Sequence, residues 1–153
     1  MEESGNPITI DCTVDMSLMH GSIKILRSGF RKAIRTTIVW NPAQVELIRS
    51  PLQEGEGRIS GIQLLGFLDD KPVLPAHVLE VLAQYKRELI PNAWKEKTNG
   101  HVTHYFFPGT TYESPEGFPE IHGMFWNDVY WEETARLIEE EFYENDYFAI
   151  WQA

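Results

Sequence analysis

Fourteen of the nineteen aromatic side chains lie beyond His101, in a stretch that holds eleven carboxylates and one cation, Arg136. Large rings fill cores, so much of the core must come from the last third of the chain. The same third must keep its carboxylates in water. With 153 residues the chain is expected to form one domain. A chain of that length buries roughly 68–70% of its unfolded surface, enough for a core without cross-links. Hydrophobic residues at 42% and charged residues at 24% exclude overall disorder. Met1-Glu2-Glu3-Ser4 opens no signal peptide. No apolar run approaches the roughly 18 residues of a membrane span. The single cysteine, Cys12, excludes an internal disulfide and fits a reducing compartment. The expectation is a soluble, cytoplasmic protein without membrane contact.

Charge is polarised. Residues 101–153 sum to -10 and residues 1–100 to zero, from eleven acids against one base and twelve against twelve. Between Asp15 and Glu46 there is no carboxylate, while Lys24, Arg27, Arg31, Lys32 and Arg35 form a basic island. A net charge of -10 repels phosphate backbones, so nucleic acid is not the expected partner.

Ile8, Ile10, Cys12 and Val14 alternate with polar residues and predict a strand. Residues 20–26 predict a second strand. The β-branched run at 36–40 predicts a third, paired back on 22–27. Residues 42–50 read as a short helix or a turn after Asn41-Pro42. Residues 58–68 predict a strand weakened by Gly61 and Gly66. Residues 75–90 predict a helix with Val78, Leu79, Leu82, Tyr85 and Leu89 on one face. Residues 101–107 and 121–126 predict strands. Residues 129–145 predict a second helix whose stripe is Trp131, Ala135, Ile138 and Phe142. Residues 1–7 are a polar, flexible tail, 51–57 and 108–119 are loops, and the terminal apolar patch 147–151 docks on the core. The expected fold class is α+β: a single domain in which an antiparallel sheet of about five strands packs with two main helices, 75–90 and 129–145.

An acidic helix at 129–145 holds one cation, Arg136, at i,i+4 spacing from Glu132 and Glu140. Uncompensated carboxylates beside large rings suit a protein interface. The preferred function is a non-enzymatic interaction module, inhibitor-like or immunity-like, that binds a basic protein. Its expected binding residues are Glu133, Glu140, Glu141 and Glu144 as charge and Trp126 as anchor. No cofactor is required. Homo-oligomers are a further expectation, with the basic residues 24–35 facing the acidic helix of a neighbour. A solvated, solubilising face accounts for the same acids.

Two other constellations carry chemistry. His104, Glu120 and His122 form a metal or small-ligand set beside Trp126 if the strands pair His104 with His122. His20-Gly21-Ser22 and His101-Val102-Thr103 stand 81 residues apart. Each would place an imidazole and a hydroxyl on one face of a strand, giving one general base and one general acid for a phosphodiester. The pair is similar to the two motifs of the 2H phosphoesterases, on these six residues, with Gly21 where that family carries a hydrophobic residue. That resemblance implies a phosphodiester hydrolase in which His20, Ser22, His101 and Thr103 are catalytic.

Overall fold

The pattern Ser-x-x-Gln occurs at 50–53 and at 60–63, and both copies close reciprocal capping boxes in the computed structural model, which describes residues 8–13, 24–26 and 32–152. The Ser60 hydroxyl accepts from the Gln63 amide, and the Gln63 side chain accepts from Ser60 N–H at 3.0 Å. That cap starts helix α1, Gly61–Leu68, where the apolar pattern alone predicted a strand; only Arg58–Ile59 (β5) is extended. The helix buries Leu64 and Leu68.

The remaining strands are β1, Thr9–Asp11; β2, Lys24–Leu26; β3, Thr37–Val39; and β4, Val45–Ile48. After the second helix, α2, Ala76–Glu80, come β6, His104–Phe106, and β7, Thr111–Glu113. The chain ends with β8, Pro119–Trp126; β9, Trp131–Leu137; β10, Phe142–Tyr143; and β11, Asp146–Trp151. The order β2-β7-β8-β6-β11-β4 forms the main sheet, and β9 pairs with the other edge of β8. The sheet is larger than five strands and is mixed, because β11 runs parallel to β6. β1 pairs with β3, and β5 with β10, in two small ladders. The expected pairing of 36–40 with 22–27 is therefore replaced: β3 pairs with β1, and β2 with β7. The tail 1–7, residues 20–23 of the expected second strand and residues 27–31 of the basic island lie outside the described residues.

The helix expected over 75–90 is present but changes pitch. α2 passes into a wider turn, Val81–Tyr85, Lys86 breaks it, and a 3-10 turn, Arg87–Leu89, follows. The helix expected over 129–145 is absent. Asn127 Oδ1 accepts from Val129 N–H (2.9 Å) and Tyr130 N–H (2.8 Å), and Asp128 takes a φ of 79°. That reverses the chain into a β8–β9 hairpin, from Trp126↔Trp131 to Glu120↔Leu137. The expected apolar stripe is divided: Trp131 joins one core and Ile138 and Phe142 the other.

The two cores lie on opposite faces of the sheet, as the period of two requires. Tyr105, Phe107, Met124 and Ala149 pack with Val78, Leu79 and Leu82 of the α2 segment. Phe106, Ile121, Phe148 and Ile150 pack with Leu64 and Leu68 of α1 and with Phe142. The terminal apolar patch thus does reach the core, as strand β11 between β6 and β4. Among the described residues no helix is long and apolar enough to cross a membrane.

Candidate functional site

Residues 142 and 143 alternate across the chain's shortest C-terminal strand. Phe142 is fully buried and meets Phe106 and Phe148 edge-on at 5.6 Å each. Tyr143 points the other way and stays 46% exposed. Around it the fold gathers carboxylates from two distant segments. The 138–141 turn supplies exposed Glu139, Glu140 and Glu141, and the 51–57 loop supplies exposed Glu54 and Glu56. The Gln53 amide fixes that loop by donating to Tyr143 O (2.7 Å) and Asp146 O (2.8 Å).

Glu144 fastens the edge. Its carboxylate accepts from Asn99 Nδ2 (2.8 Å) and from Gly55 N–H (3.1 Å). Gly55 and Glu56 both have left-handed φ angles, 64° and 66°, which turn their amides toward that carboxylate. The Asn99 hydrogen bond, then those of Glu56 and Gly55 and the charge of Arg49, hold the carboxyl below its ordinary value against a smaller opposing effect of burial. A cavity of about 360 Å³ opens here, lined by Glu56, His101, Tyr143, Glu144 and Asn145. Six carboxylates, at 54, 56, 139, 140, 141 and 144, thus share this edge with two guanidinium groups. Arg58 lies 3.5 Å from Glu141, and Arg49 donates to Glu144 O at 2.8 Å.

Arg136 does not join them. Instead of pairing with Glu132 or Glu140, it is bound to buried Asp146 and stacks over Phe106 and Phe142 at 5.0 and 5.1 Å. Asp146 also accepts from Tyr143 N–H at 2.7 Å. The only cation of the last third is therefore held inside, which leaves the exposed carboxylates to face solvent.

Of the five expected binding residues, Glu140, Glu141 and Glu144 come together. Trp126 and Glu133 do not. Glu133 lies mid-β9, where Gln84 Nε2 donates to it at 3.1 Å. Trp126 closes the opposite end of β9. Sequence reading missed Tyr143, Glu54 and Glu56; the in–out alternation of Phe142-Tyr143 was the available signal.

The histidine set is divided. The register pairs His104 with Phe125, three residues beyond His122, so the two imidazoles point to opposite faces. His104 Nδ1 lies 3.1 Å from Asp146 Oδ1, and His122 Nε2 lies 2.8 Å from Glu120 Oε2. The His122 ring stacks on Tyr112 at 3.9 Å. Among the described residues no group of three such side chains could hold a metal. His20 and Ser22 lie outside the described residues. His101 lines the Tyr143 cavity. Thr103 lines a different one and donates to Glu96 O at 2.8 Å, so the expected shared face of His101 and Thr103 does not form. No family model matches the chain, and neither do the curated proteins or the solved structures.

Proposed function

We propose that this protein is a non-enzymatic interaction module, inhibitor-like or immunity-like, that binds a basic protein through the edge around Tyr143. The observation that carries this reading is the exposed Tyr143 ring sharing a cavity with Glu56 and Glu144, at an edge whose two segments carry four further carboxylates, while Arg136 is held inside by Asp146. A solubilising role would need neither the exposed ring nor the convergence of two segments. Tyrosine anchors an interface with large area and few torsions, and the carboxylates steer a cationic partner toward it. The single, unpaired Cys12 agrees with action in a reducing compartment such as the cytoplasm.

The test is capture of oligo-lysine, with oligo-glutamate of equal length as control, on the immobilised chain. Binding is expected to weaken at least tenfold between about 50 and about 500 mM salt, as screening shortens the reach of the charges. Tyr143→Ala and the double change Glu140→Lys/Glu141→Lys are each expected to abolish it with folding kept. Equal capture of both peptides, or capture indifferent to salt and to these changes, would refute the proposal.

A further inference from the structure

β9 joins two surfaces of unlike character. At its start Trp131 lies in a groove of about 330 Å³ together with Trp126, Tyr130, Ile90, Arg87 and Lys95. Glu88 is the one carboxylate in that lining. Tyr130 is 49% exposed and its neighbour Val129 75%. The Lys95 ammonium sits 4.2 Å over the Trp126 ring. At its other end β9 runs into the acidic edge. Seven strand residues at about 3.3 Å each put the two surfaces roughly 20 Å apart. The groove of one chain therefore cannot close on its own edge.

Rings bordered by a guanidinium and an ammonium fit an acidic segment that projects a ring of its own. The chain carries such a segment: Glu139-Glu140-Glu141-Phe142-Tyr143-Glu144, with Tyr143 outward. We infer that the groove of one copy takes the acidic edge of a second copy, with Tyr143 against Trp126 and Tyr130, and Glu140 and Glu141 facing Arg87 and Lys95. The inference rests on reading the edge as a binding surface. The contact is heterologous, so it repeats head to tail, and a basic partner competes with it for the same edge.

Sedimentation velocity of the intact chain over a concentration series tests this. At low salt the average mass is expected to rise above the monomer with concentration, and at high salt to return to it. Arg87→Glu/Lys95→Glu, or Lys95→Glu alone if the pair unfolds, removes the association. Glu140→Lys/Glu141→Lys removes it too. Mixing the groove variant with the edge variant gives a one-to-one complex that grows no further, because one intact groove meets one intact edge. A chain that stays monomeric throughout, an association that neither change affects, or a mixture that stays monomeric overturns the inference. Binding of a Glu/Tyr-rich peptide to the groove of a monomeric chain overturns it as well, by naming a different occupant. Oligo-lysine capture by the groove variant reads the acidic edge separately. If the unaltered chain does not self-associate while the groove variant still captures oligo-lysine, only this inference falls.

Discussion

His104 and Asp146 face each other across the parallel pairing of β6 and β11, Nδ1 to Oδ1 at 3.1 Å. Burial by itself would raise the Asp146 pKa. The close approach of His104, the charge and hydrogen bond of Arg136 and the Tyr143 amide outweigh it, so the carboxyl titrates below its ordinary 3.8. A folded-state pKa below the unfolded one gives stability that is complete above the unfolded value and is lost as pH falls through the folded value. Stability is therefore expected to fall as pH drops below about 4. Asp146→Ala leaves Arg136 half-buried without its partner, and a loss of about 3–5 kcal/mol is expected by urea denaturation. Asp146→Asn keeps the shape and flattens the acid limb of the stability profile; an unchanged limb would remove Asp146 from the account.

Two glycines of α1 are expected to respond in opposite directions. A Cβ on Gly61 would stand 1.5 Å from Ile138 O, a backbone atom that cannot swing aside. One on Gly66 would meet nothing within 4 Å. Gly66→Ala is expected to stabilise by about 0.5–1 kcal/mol through the lost freedom of the unfolded chain. Gly61→Ala is expected to destabilise by about 1–3 kcal/mol or more through overpacking. Melting curves of the two variants distinguish them, and equal shifts would contradict the packing of α1 on the 138–141 turn.

Removing a hydroxyl should help at position 112. Tyr112 is fully buried, and its Oη has no hydrogen-bond partner among the described residues. Burial first, then the charges of Glu80, Glu133 and Glu120, push its pKa up and keep it protonated. An unsatisfied buried hydroxyl costs about 1–3 kcal/mol. Tyr112→Phe keeps the ring stacked on His122 and is expected to stabilise by about 1 kcal/mol. Destabilisation of that size on chemical denaturation would mean that the hydroxyl is bonded.

Cys12 is expected to be unreactive in the folded protein. Burial, with the charge of Asp11 beside it, pushes the thiol from 9.0 up to about 11. Two units reduce the thiolate fraction about 100-fold. Titration with a thiol-reactive disulfide at neutral pH should run at least that much slower on the native chain than in denaturant. Matching rates would show that the thiol is not shielded.

Local chemistry was legible wherever one segment settles its own conformation. The alternation around Ile10 became β1, and the apolar face of Val78, Leu79 and Leu82 became the α2 segment. The Ser60-x-x-Gln63 cap was equally local, yet the apolar residues after it drew the reading toward a strand. Residues 129–145 were not decidable alone. Trp131, Ala135, Ile138 and Phe142 satisfy a helical stripe, while Thr134 and the flanking rings also suit a strand. The hairpin with β8 decided between them, and that partner lies outside any local window.

The candidate site divides along the same line. By itself the sequence determined that the last third supplies much of the core and all of the net negative charge, because rings must be buried and carboxylates solvated. That the loop carrying Glu54 and Glu56 lies against Tyr143 and Glu144 was decided only by the pairing of β5 with β10 and by the Gln53 hydrogen bonds to residues some ninety positions away. The separation of His104 from His122 was likewise decided by strand register, since an offset of three residues sends two side chains to opposite faces of a sheet. Composition sets which residues must be buried; non-local pairing sets which of the exposed ones become neighbours.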